Sequence, residues 1–196
     1  MNRDLPLPAR RLEGAVSLVQ AQPWNTSPVT PDSPAVEVMT DLTEVKAATV
    51  SPAATLQQAE QAMIWKGVRM LFVVTEMPSV QGLITTTDLR GPRPLRLVQQ
   101  RGLRFDEITV ADVMTPLAAL EAVDYDDLRH AYVGNVVATL KKHGRNHLLV
   151  AQQAAPGLPV LVRGVFSRSQ VERQLGRALE VVEVANSFAD LGVMLT

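Results

Sequence analysis

The sequence has no cysteine. This excludes disulfides, thiolate zinc sites and a cysteine nucleophile, and it fits a reducing compartment such as the cytoplasm. An excess of one charge is also missing. The 19 Lys and Arg against 20 Asp and Glu leave a formal net charge of −1, without the basic footprint that nucleic-acid binding usually leaves. No apolar run approaches the roughly 18 residues of a membrane span. Arg10-Arg11 ahead of Gly14–Val19 faintly has the order of a secretory leader, but Glu13 interrupts it, and a short surface helix or strand reads better. Catalytic signatures are absent as well. There is no Gly-x-Ser-x-Gly turn and no phosphate-binding Gly-x-x-x-x-Gly-Lys. The histidines are His130, His143 and His147. Gly144 separates the last two, so they need not share a helix face, and no metal site is expected. Asp124-Tyr125-Asp126-Asp127 lacks the spacing of a calcium loop and reads as a helix start.

What the chain does have is ordinary globular composition, 46% hydrophobic and 20% charged over 196 residues, and one internal repeat. Val38-Met39-Thr40 returns as Val113-Met114-Thr115, Gly67 as Gly144, and Gly82-Leu83-Ile84-Thr85 as Gly164-Val165-Phe166-Ser167. The offset grows from 75 to 77 to 82 residues, as two copies of one unit with a longer loop at 152–159 would give. Each copy reads helix, strand, strand, helix. In the first, Thr55-Leu56-Gln57-Gln58 is a capping box, Leu56, Ala59 and Met63 share a helical face, and Gly67 ends the helix. Strands are expected at 69–75 and 80–85. In the second, Asp126 or Asp127 starts a helix with Val133, Val136, Val137 and Leu140 buried, Gly144 stops it, and strands follow at 147–151 and 160–166. Residues 92–106 connect the copies, with a short helix over 94–100. Six of the 13 prolines fall within residues 1–34, which read as an irregular arm. A strand at 181–184 and a helix capped by Ser187 would close the chain.

This arrangement resembles paired cystathionine-β-synthase (CBS) domains, the Bateman module, over about residues 35–177. The resemblance implies an α/β (α+β) fold of two pseudo-symmetric repeats, each a small sheet packed with helices. Its parts are an arm at 1–34, CBS domain 1 with the connecting helix at 35–104, CBS domain 2 at 105–178, and a tail at 179–196. It also implies a homodimeric disk, parallel or antiparallel, with adenosyl ligands in clefts between the copies.

The family's ligand motif, Gly-h-h-Thr/Ser-x-x-Asp, stands here as Gly82-Leu83-Ile84-Thr85-Thr86-Thr87-Asp88. Glycine lets backbone approach a ligand, a hydroxyl at a helix N-terminus suits phosphate, and a carboxylate can accept from both ribose hydroxyls. Thr85-x-x-Asp88 is equally a helix cap, and the two roles are compatible. The second copy departs from the pattern: Gln170 stands for the aspartate, and its amide offers only one acceptor oxygen. Ser167-x-x-Gln170 keeps a capping box, while Phe166 is large enough to crowd an adenine slot. By the resemblance, the principal cleft takes Val38, Met39, Gly82, Ile84, Thr85, Asp88, Arg145, His147 and Arg168. A weaker second cleft takes Arg69, Val113, Met114, Ser167 and Gln170. Taken singly, each arginine also reads as a solvated surface residue and each Val-Met pair as core. The implied function is a regulatory module, not an enzyme. It would bind AMP, ADP, ATP or S-adenosylmethionine, and act on an unidentified partner protein in trans, without nucleic acid or membrane. The alternative is a ligand-free dimerisation scaffold, with Trp24 in the arm as a partner anchor.

Overall fold

The computed structural model describes residues 27–153 and 155–180. The proposed strand at 181–184, the Ser187 cap, Trp24 and the leader-like stretch lie outside the described residues. Elements run in the order β1 (Thr40–Asp41), β2 (Thr49–Val50), α1 (Leu56–Lys66), β3 (Met70–Val74), β4 (Val80–Thr85), α2 (Thr86–Arg90) and α3 (Pro92–Arg101). Then follow α4 (Val110–Val113), β5 (Thr115–Pro116), β6 (Ala122–Asp124), α5 (Tyr125–Leu128), α6 (Val133–His143), β7 (His147–Gln152), β8 (Leu161–Ser167) and α7 (Arg168–Leu175).

Local sequence explains most of these boundaries. The Thr55–Gln58 capping box is formed in both directions, and Gly67 and Gly144 end α1 and α6 in the left-handed region, at φ of 63° and 59°. Two expectations need correction. The second repeat's long helix does not start at Asp126 or Asp127: the Asp124 carboxylate accepts the Asp126 N–H and caps the one-turn α5. α6 begins only at Val133, where the apolar stripe Val133, Val136, Leu140 sets in, and Val137 stays half-buried. The connecting helix starts at Pro92, two residues earlier than expected, because both Pro92 and Pro94 fit in a first turn that needs no N–H.

Two four-stranded sheets follow the repeat, in the orders β2-β3-β4-β5 and β6-β7-β8-β1. In each, the first pair is parallel and the other two are antiparallel. The fourth strand of each sheet comes from the other repeat. β5 pairs Thr115 with Leu83 and Pro116 with Gly82; β1 pairs Thr40 with Val165 and Asp41 with Gly164. The Val-Met-Thr entries are thus exchanged. Val113 is buried in the first core with Leu71, Val73 and Ile84, and Val38 in the second with Leu148, Val150 and Phe166. Strand alternation turns the other faces, Met70, Phe72, Val74 and Leu83 against Leu149 and Val165, into a third core between the sheets.

The β1–β8 junction is clamped by charge. Asp41 takes Arg163 through Nε and Nη2 at 3.0 and 2.6 Å, Thr43 donates to it twice, and the guanidinium lies 4.8 Å from the Tyr125 ring centre. The Arg163 hydrogen bonds hold the Asp41 carboxyl down at about 2.

Candidate functional site

The first motif closes on itself. Asp88 Oδ2 accepts the Thr85 N–H at 2.8 Å and the Thr85 hydroxyl at 2.7 Å, and the hydroxyl in turn accepts the Asp88 N–H at 3.3 Å. Both side chains are buried. Ile84 lies in the helix-side core and lines neither of the two cavities described below. Gly82 is needed for a reason other than ligand approach: a Cβ there would run into the Thr115 carbonyl of the exchanged strand. Because of the exchange, Val113 and Met114 accompany this motif, while Val38 and Met39 do not. Arg145 is buried between α6 and β7, and its Nη2 donates to Glu121 at 2.7 Å.

The second motif is built differently. Ser167 precedes α7 but makes no side-chain cap; its hydroxyl lies 3.0 Å from that of Ser169. Gln170 does not complete the expected box, because its Nε2 donates to Gln174, whose own amide bridges the carbonyls of Ser27 and Glu37. Phe166 faces the helices and is fully buried; strand alternation turns Val165, not Phe166, toward the cavity described below. Gly164 lies against Met39, whose Sδ would be 2.5 Å from an added Cβ.

Beside this second motif lies a mainly apolar cavity of about 190 Å³. The expected Arg69, Ser167 and Gln170 meet there. They are joined by Thr40, Leu42, Val45, Lys46, Ala47 and Ala48, and by Val68, Met70, Phe72, Val165 and Arg173. The Leu42–Ala48 contribution had no signature in the sequence. It follows only from β1 crossing to the other sheet. His147, expected at the first cleft, lines this cavity too.

A second, polar cavity of about 360 Å³ lies where the two motif ends approach each other. It is lined by Arg69, Thr86, Thr87, Asn146, His147, Ser167, Arg168, Ser169 and Glu172. Arg69, His147, Ser167 and Ser169 border both cavities. Arg168 is held by Glu172 at 2.9 Å and by the Leu179 carbonyl at 2.8 Å. His147 is buried, and desolvation, together with the Arg69 charge, pushes its pKa down to about 4. The combined shape is a slot with an apolar end and a polar, cationic end. His143 closes α6 and His147 opens β7. No helix among the described residues is long and apolar enough to cross a membrane.

No protein-family model and no curated protein matches the sequence. Solved structures do resemble the fold. An uncharacterized conserved protein from Pyrococcus horikoshii is 23% identical, with a TM-score of 0.52 over 79% of this chain and 100% of its own. CBSX2 in complex with AMP, a CBS-pair protein known from Arabidopsis thaliana, is 20% identical, with a TM-score of 0.50 over 72% of this chain and 94% of its own. Protein MJ1225 from Methanocaldococcus jannaschii is 18% identical, with a TM-score of 0.50 over 66% of this chain and 46% of its own. The chain has the fold of a tandem CBS-domain pair.

Proposed function

We propose that this CBS pair, its repeats spanning 35–104 and 105–178, is a non-catalytic regulatory module that binds an adenine nucleotide between its repeats. The observation that carries the reading is the two-ended slot beside Gln170. A flat base suits the end lined by Leu42, Ala47, Val68 and Val165, and a phosphate suits the end lined by Arg69, Thr86, Thr87 and Ser169. The AMP complex of CBSX2, a protein of the same fold, supports the ligand class. The ligand is AMP, ADP, ATP or S-adenosylmethionine, and binding shifts the population of repeat or protomer arrangements. In this reading the module is a cytoplasmic homodimer whose output passes to a partner protein in trans.

A ligand-free scaffold is the second reading. It is favoured by one observation: Asp88 Oδ2 and the Gln170 amide already serve bonds inside the protein. Calorimetric titration of ligand-stripped protein with the four ligands separates the readings, using Arg69→Met and Asp88→Asn as variants. Saturable binding that weakens at least tenfold in Arg69→Met supports the slot beside Gln170. Loss confined to Asp88→Asn moves the ligand to the first cleft. Absence of binding for every ligand, at several temperatures, leaves the scaffold.

A further inference from the structure

Among the described residues, His147 is a buried ionisable group with a ring nitrogen that no hydrogen bond uses. It opens β7 on the strand face turned toward the other sheet, is 6% exposed, and borders both the apolar cavity and the polar chamber. Its Nδ1 is buried and makes no hydrogen bond among the described residues. The first repeat has Met70 at the equivalent position: Met70 pairs with Thr85 as His147 pairs with Ser167. A thioether fills that position without an unsatisfied polar atom, so the imidazole carries a desolvation cost that its counterpart avoids.

The surroundings favour negative charge. Arg69 faces the chamber from the turn before β3. α7 supplies Arg168 and Glu172, which bind each other, and Arg173 and Lys46 border the adjoining cavity. α2 contributes only the hydroxyls of Thr86 and Thr87, and β8 that of Ser167. α7, eight residues long, opens at the chamber without a side-chain cap.

We propose that an oxyanion entering this chamber binds with uptake of one proton by His147, so that an imidazolium and Arg69 hold it together. The inference rests on the reading that the slot takes a phosphorylated ligand, and it makes pH a second input to that site. Without an anion, burial and the Arg69 charge keep the imidazole neutral. A dianion offsets Arg69 and gives the ring an acceptor, which reverses the balance. The proton comes from solvent and returns to it when the anion leaves. Because the bound form then has the higher pKa, affinity rises as pH falls through that higher value, and levels only near the pKa of the anion-free form.

Sulfate is the probe, since it stays doubly charged throughout and adds no titration of its own. Sulfate binding to the full chain is measured from pH 7.5 to 5.5, with the histidine Cε1 protons followed by NMR and assigned with His147→Gln. The expected result is an affinity that rises about tenfold from pH 7.5 to 6, a His147 midpoint that moves up with sulfate, and a flat profile in His147→Gln. His147→Met, which copies Met70, serves if the glutamine variant fails to fold. A pH-independent affinity, an unmoved midpoint, or a slope that survives both variants would overturn the proposal. AMP is titrated alongside at pH 7.5. AMP binding with a pH-flat sulfate response refutes the proton uptake alone; proton-coupled sulfate binding without AMP binding refutes the nucleotide reading alone.

Discussion

At the end of β4, threonine and aspartate satisfy each other: the Thr85 hydroxyl donates to Asp88 and accepts its N–H in return. At the end of β8, the equivalent serine turns to Ser169, and the glutamine reaches away along α7 to Gln174. Both ends start a helix, yet only the first does so with a side-chain cap. The comparison teaches that the repeat preserves a backbone path, strand into helix, while the polar groups along that path are free to diverge. In the first repeat a ligand must compete with a formed cap. In the second, the hydroxyls of Ser167 and Ser169 border an open chamber.

The largest way to break the symmetry lies at the two motif glycines. Gly82→Ala drives a Cβ into a backbone carbonyl, which cannot move without shifting β5, and should cost about 1–3 kcal/mol. Gly164→Ala meets mainly the flexible Met39 side chain and should cost clearly less. Urea midpoints of the two variants test the order, and equal losses would contradict it. Next comes the clamp on the exchanged strand. Arg163→Met should lose about 2 kcal/mol at pH 7, leaving Asp41 half-buried without its guanidinium. The Asp41 carboxyl is held below its ordinary value, so its contribution is present above about pH 4 and is lost as pH falls toward 2. Wild type and variant should therefore converge in acid. The other entry carries uncharged Pro116 at this register, so Pro116→Ala should show no such acid convergence. Smallest is the cap difference: Thr85→Ala should cost about 1 kcal/mol, while Ser167→Ala should stay within about 0.5 kcal/mol, both readable from thermal melts.

Much of the fold was legible because its signals are local. The Thr55 box, the stops at Gly67 and Gly144, and the recurring Gly-h-h-Thr/Ser ends each lie within one element. The exchange was not legible, because Thr40 and Val165 are brought together by pairing across most of the chain, and a two-residue strand carries no pattern that names its partner. That one missing pairing is why Val38 and Met39 were grouped with Asp88 when the structure sets them beside Gly164. The roles of Ile84 and Phe166 were hidden for a different reason. β3, β4, β7 and β8 are apolar on both faces near the motif, so hydrophobicity alone cannot tell the helix side from the sheet side. The α6 start has no cap signature of its own in this stretch, because the cap that Asp124 to Asp127 supply belongs to a separate turn.

The crossed entries also bear on how such a chain can change over generations. A substitution at Thr40 or Asp41 is felt in the sheet of the second half, and one at Thr115 or Pro116 in the sheet of the first. Neither copy of the duplicated unit can drift alone, since each inherits its last strand from its sibling. What reads along the sequence as two tandem modules is, to selection, one interlocked object.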